Sequence, residues 1–206
     1  YKIAAGFYYR ILTDNTGYIR CASFASTKGE GNLDNVFYYL LTCKGLIIDL
    51  RDNSGGLVTA AEQLAARFTN KKVLVGYIQH KTGKGHRDFS PLQAQYLTPS
   101  NGLRWQKPVV IITNRGVYSA ANEFVKYMKN LPNVTIIGDK TGGGAGMPFS
   151  SELPNGWSVR FSACPMYDKD KQMTEFGIDP DYKVDLTSED FQRGKDTIIE
   201  FARHLV

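Results

Sequence analysis

The chain reads as an α/β layer structure, and three observations predict it. Two short apolar runs each lead through a turn of small and polar residues into a stretch with helical spacing, at 45–68 and at 107–131. A third apolar run, Val134 to Ile137, feeds a glycine-rich loop. The chain then closes on a helical stripe that ends at Leu205.

In chain order, Gly45-Leu-Ile-Ile-Asp-Leu50 is a strand, short and apolar, and Arg51-Asp-Asn-Ser-Gly-Gly56 is the turn after it. Asparagine and paired glycines permit positive φ, so this turn can aim consecutive backbone N–H groups one way and form an anion nest. A helix follows from Leu57 to Phe68. Lys72 to Ile78 is the next strand, and it opens into the polar, basic loop Gln79-His-Lys-Thr-Gly-Lys-Gly-His-Arg87. Lys107-Pro-Val-Val-Ile-Ile-Thr113 is a buried strand, β-branched and bounded by proline. Phe124, Met128 and Leu131 then recur at helical spacing. The segment Phe149 to Phe161 reads as a hairpin about Pro154-Asn155-Gly156. At the end, Thr187-Ser-Glu-Asp190 offers an N-cap for a helix carrying Phe191, Ile198, Ile199, Ala202 and Leu205. That stripe packs on the core or on a domain outside this chain, with dimerisation as the alternative.

Ser119, in Val117-Tyr-Ser-Ala-Ala-Asn-Glu-Phe124, falls between strand and helix and is the candidate nucleophile. Its oxygen would lie beside unpaired N–H groups and the positive end of a helix dipole, which favour developing negative charge. Serine is also a favoured N-cap, which is the competing explanation. The loop Gly138-Asp-Lys-Thr-Gly-Gly-Gly-Ala-Gly146 lacks the Gly-Lys-Ser/Thr of a P-loop and opens no dinucleotide-binding helix, so nucleotide binding is not its leading explanation.

With 206 residues and 42% hydrophobic content, the chain can bury a core, and no linker or repeat divides residues 1–206 into more than one domain. The net charge of +5 is modest, and its basic clusters lack the aromatic interleaving of a nucleic-acid platform. There is no apolar run of transmembrane length and no signal peptide. Cys21, Cys43 and Cys164 fall inside apparent strands or helices, with neither zinc spacing nor an even count, and read as buried thiols. No metal or organic cofactor is implied. Tyr8, Tyr9, Phe37, Tyr38 and Tyr39 read as core and sheet edge more readily than as a peptide groove.

Four blocks in order, Leu46-Ile-Ile-Asp-Leu-Arg-Asp-Asn-Ser-Gly-Gly56, Thr113-Asn-Arg-Gly-Val-Tyr-Ser-Ala-Ala-Asn-Glu-Phe124, Gly138-Asp-Lys-Thr-Gly-Gly-Gly144 and Phe176-Gly-Ile-Asp-Pro-Asp181, resemble the signature of the tail-specific, or C-terminal-processing, serine peptidases. The resemblance covers residues 17–185. It implies a ClpP/crotonase-like core and Ser119 as acylating nucleophile. It also implies an oxyanion hole from the N–H of Ala120 and a glycine of the 55–56 turn, Gly55 first. Where many bacterial members carry a lysine base in the third block, this chain has Gly144, and Lys140 does not fit the slot. That departure makes the chain look like the tricorn-core and retinoid-binding-protein-like branch. There a histidine is the base, and a glutamate beside the Gly-Ile-x-Pro-Asp block, here Glu175, helps organise it.

A serine hydroxyl needs such a base within hydrogen-bond reach. Only His80, His86 and His204 are present, and none matches the family position. The expectation is a C-terminal catalytic fragment whose base belongs to an N-terminal segment of the same full-length protein, together with a helical domain and any PDZ-type module. The resemblance further implies a peptide or protein substrate and an exported, periplasmic or cell-envelope setting. A peptide could add as a strand at the edge of the 149–161 hairpin. Two rival readings are a non-catalytic peptide or hydrophobic-ligand binding module on the same fold and a crotonase-type acyl-CoA enzyme, which would not need Ser119.

Overall fold

A computed structural model describes residues 1–27 and 29–206. Its centre is a seven-stranded sheet. In chain order its strands are β1 (Lys2–Ala4), β2 (Phe7–Ile11), β3 (Gly17–Arg20), β4 (Leu46–Asp49), β7 (Val109–Thr113), β8 (Val134–Gly138) and β12 (Tyr182–Lys183), and they lie side by side in that order. From β3 onward the neighbours are parallel, while β1, β2 and β3 form an antiparallel meander at one edge. Parallel strands need long crossovers, and the chain supplies them with α1 (Glu30–Leu40) between β3 and β4 and α3 (Ala120–Met128) between β7 and β8. A longer excursion between β4 and β7 holds α2 (Val58–Ala65), a 3₁₀ turn at Ala66–Phe68, β5 (Val73–Ile78) and β6 (Gln93–Leu97).

The β-branched central strands are buried on both faces, as parallel sheets require. Ile48, Val109, Ile111 and Ile136 pack against α1, α2 and α3. The alternate residues Ile47, Val110, Ile112 and Ile137 pack on the opposite face. They are covered there by Ile198 and Ala202 of α5 (Thr197–Leu205). Each such side chain contributes about 1.5–3 kcal/mol by leaving water. The Ile198–Ala202 part of the final stripe therefore packs within the chain. It is not continuous: α4 (Ser188–Gln192) stops before Gly194, where φ is 67°, and Asp196 caps α5 through Ile198 and Ile199 N–H. Phe191 accordingly stays exposed. Arg51 joins α5 to the sheet, holding Asp196 at 2.7 Å and Asp49 at 2.6 Å.

A second sheet of order β11-β5-β6, with β11 at Met166–Tyr167, and a separate hairpin of β9 (Phe149–Glu152) and β10 (Ser158–Phe161) lie beyond the strand ends. The hairpin turn closes through Gly156 N–H to Leu153 O at 2.8 Å, with Gly156 at φ 82°. Cys21, Cys43 and Cys164 are buried, but all three sit in connections just outside the strands and helices. Tyr9 and Phe37 are core, whereas Tyr8 and Tyr38 are exposed.

One buried polar clamp ties α3 to the loops after β8. Thr141 Oγ1 donates to Asn122 Oδ1 at 2.7 Å, and Asn122 Nδ2 donates to Thr174 O at 3.2 Å. Thr141 Oγ1 in turn accepts from Ile178 N–H at 2.7 Å, so the 174–178 segment is fixed relative to the helix. Asn122→Ala leaves buried groups unpaired and is expected to lower the unfolding free energy by about 2 kcal/mol. Urea denaturation checks this, and an unchanged midpoint would show that the clamp does not hold the loops.

Candidate active site

The functional residues gather where β4, β7 and β8 end, so three loops meet above one edge of the parallel sheet: 50–57, 114–119 and 139–146. Ser119 is the residue before α3, but it does not cap it: its side chain accepts no N–H from the helix. Its backbone sits at φ 56° and ψ −124°, a conformation that L residues with a side chain rarely adopt. A helix cap would have extended backbone and an engaged oxygen, so the capping explanation of this serine fails.

Hydrogen bonds from neighbouring loops hold that backbone. Ser119 N–H donates to Gly143 O at 2.8 Å, Tyr118 N–H to Asn53 O at 3.0 Å, and Gly142 N–H to Val117 O at 2.7 Å. The loops can approach only because glycines line the contact. A Cβ at Gly55 would stand 2.6 Å from Tyr118 O and 2.8 Å from Ala120 N, and one at Gly143 would overlap the Glu175 carbonyl.

The 51–56 turn corrects the expectation for its glycines. Gly55 N–H is committed to Asn53 Oδ1 at 2.9 Å, and Asn53 Nδ2 anchors the turn on Cys21 O at 2.9 Å. Gly55 is thus the close-approach residue. Gly56 lines the same cavity as Ser119 and Ala120, and among the described residues the N–H groups of Gly56 and Ala120 have no acceptor. Gly56, rather than Gly55, is the glycine whose donor is left for a ligand. With Ser119 Oγ also unbonded, two N–H donors and a hydroxyl share one cavity of about 310 Å³.

Glu175 lies on the far side of the glycine loop. Its carbonyl accepts from Gly144 N–H at 2.9 Å, and both its carboxylate and the Ser162 hydroxyl lie beside Gly146. Burial pushes its carboxyl above the usual range, and the Ser162 hydroxyl opposes that shift. Glu123, one turn beyond Ser119, borders the cavity but is buried and paired with Lys126 at 2.5 Å. Asn53 and Ser162 are neighbours the sequence did not single out, and Gly56 entered there only as the alternative to Gly55. Asn53 had a legible signal in its place before the glycine pair, whereas Ser162, on a separate hairpin end, had none.

The space for a lysine at 144 is closed: a Cβ on Gly144 would enter the Tyr118 ring. Lys140 points to Asp179 at 3.4 Å. His80 lies against Cys164 Sγ at 3.4 Å, His86 is in an exposed loop, and His204 is on α5 across the sheet. None of the three is hydrogen-bonded to Ser119. A larger cavity of about 540 Å³ opens beside Phe176 and Ile178, but it contains neither Ser119 nor the free N–H pair. Among the described residues no group of three or more His, Cys, Asp or Glu side chains could hold a metal ion.

The chain is similar to several known proteins. It is 25% identical over 181 residues to the carboxy-terminal processing protease CtpA of Bacillus subtilis, covering 87% of this chain and 37% of the relative. It is 28% identical over 175 residues to the tricorn protease of Thermoplasma acidophilum, covering 82% of this chain and 15% of the relative. A crystal structure of a protein from Parabacteroides merdae assigned as a peptidase superposes with a TM-score of 0.95 at 55% identity, covering 100% of this chain and 65% of that one. The chain therefore spans less than two thirds of each of these relatives. The family model of peptidase family S41 matches residues 15–184, and the chain belongs to that family.

Proposed function

We propose that this chain is the catalytic part of a tail-specific, tricorn-like serine endopeptidase that cleaves peptide bonds through an acyl-enzyme at Ser119. The observation that carries the reading is the backbone of Ser119, held at φ 56° without a capping role beside two free N–H donors. Strain of this kind is kept where it aims a functional group.

In this reading Ser119 Oγ attacks the peptide carbonyl carbon as a base takes its proton. The carbonyl oxygen becomes an oxyanion held by the N–H groups of Gly56 and Ala120, at the positive end of α3. The base returns the proton to the departing amine, and water then hydrolyses the ester. The base is a histidine from a segment of the full-length protein outside residues 1–206. The filled slot at Gly144 and the commitments of Lys140 and His80 support this. Glu175, on the glycine-loop side, orients that imidazole through its carboxylate. The layered core is read as ClpP/crotonase-like, with the three sheet-end loops serving as oxyanion and nucleophile loops. The resemblance also supports an exported, periplasmic or cell-envelope setting for the full-length protein. Among the described residues no helix is long and apolar enough to cross a membrane. A second reading, a binding module on the same fold, is favoured by the unbonded Ser119 Oγ.

Labelling with a fluorophosphonate separates them. The full-length protein is expected to label at Ser119, Ser119→Ala to abolish the label, and residues 1–206 alone to label weakly or not at all. Folded full-length protein that takes no label would favour the binding module.

Glu175 makes the pH dependence specific. Its raised carboxyl keeps its proton to higher pH in the folded chain than in the unfolded one. Its contribution to stability is therefore greatest in acid and falls as pH rises through the raised value. The ionised form is the one that can orient an imidazolium, so activity rises through the same window. Glu175→Gln is expected to remove that acid limb from the pH–rate profile and lower kcat by about 100-fold or more. An unaltered profile would remove Glu175 from the site.

A further inference from the structure

Several charged groups around Ser119 are already engaged: Glu123 is matched by Lys126 at 2.5 Å, Lys140 by Asp179, and Arg115 donates to Thr141 O at 3.0 Å. Arg160, on β10, lines the Ser119 cavity, and its side chain makes neither a hydrogen bond nor an ion pair among the described residues. We propose, on the peptidase reading above, that Arg160 is a specificity-determining residue that binds a carboxylate carried by the substrate beside the scissile bond.

Charge and mounting both suit Arg160 to that role. The cavity already has a positive bias from the N-terminal end of α3 and the free N–H groups of Gly56 and Ala120. Arg160 adds a positive charge that makes no ion pair among the described residues, while Val58, Ala145, Met147, Pro148 and Met166 supply an apolar wall. A guanidinium left unpaired at the rim of such a cavity offers a planar fork of donors that fits a carboxylate in two parallel hydrogen bonds. Its backbone is braced. Arg160 faces Ser150 across the hairpin, and the next cross-strand pair, Phe161 with Phe149, brings two rings to 5.6 Å between centroids. The side chain is exposed, so it reaches a substrate without breaking an existing contact. A carboxylate could come from the end of a polypeptide or from an aspartate or glutamate side chain, and Arg160 would recognise both alike.

The test uses full-length protein with Ser119→Ala, so that peptides bind without being cut. Three fluorescein-labelled peptides of alanine, valine and leucine are compared by anisotropy: one with a free C-terminal carboxylate, its C-terminal amide, and the amide carrying a single glutamate. Arg160→Gln is expected to weaken binding of a carboxylate-bearing peptide by roughly 10- to 100-fold, with the loss confined to that charge, and Arg160→Lys to restore part of it. The peptide that responds identifies the source of the carboxylate. Equal loss for the amide, no loss for either carboxylate peptide, or binding of none of the three would overturn the proposal. Fluorophosphonate labelling of the same protein with Ser119 intact reports separately on the peptidase reading, which stands if Ser119 labels whatever Arg160 does.

Discussion

The hydrogen bond from Ser119 N–H to Gly143 O is the constraint on which the site depends. It fixes the backbone of a residue with a side chain in a left-handed conformation that costs of order 1–3 kcal/mol. It also consumes the N–H of Ser119 itself, so the next donor, Ala120 N–H, is the one that stays free. Without the glycines that let the three loops touch, the bond could not form. Gly55 admits the 114–119 loop, and Gly143 admits the turn at Glu175.

These loops are held by a sheet that leaves them little freedom. β4, β7 and β8 are buried on both faces, and each loop leaves from a strand end whose position is set by interior packing. Asp49 shows how tightly a strand end is tied. Burial would raise its carboxyl, but Arg51 and Tyr18 hold it below the usual carboxylate range. The glycine turn begins immediately afterwards. The Asn122–Thr141 clamp does the corresponding work on the far side, tying the glycine loop and the Glu175 segment to the helix that Ser119 precedes.

Much of this was legible in the sequence because burial leaves a pattern. The β-branched runs at 46–50, 109–113 and 134–137 are strands, the hairpin about Asn155-Gly156 forms, and Ser119 lies at the start of a helix. Legibility stopped where geometry decides between neighbours. Nothing in Ser-Gly-Gly says which glycine N–H is spent on a side chain; that is decided by Asn53 Oδ1, which takes Gly55. The apolar spacing from Phe191 to Leu205 suggested one helix, yet Gly194 and the Asp196 cap divide it. The three cysteines sit in loops because tight connections bury small side chains as completely as strands do. Arg160 carries no sequence signal, since only the fold places β10 against the Ser119 cavity.

The proposed reaction needs one arrangement: Ser119 Oγ attacking while Gly56 and Ala120 hold the oxyanion. A crystal structure of the full-length protein with a peptidyl phosphonate bonded to Ser119 would test it directly. The phosphonyl oxygen is predicted to accept from both N–H groups at about 2.7–3.1 Å, with Gly55 still bonded to Asn53. A phosphonyl oxygen turned to solvent, or engaged by Gly55 after loss of the Asn53 bond, would contradict the account.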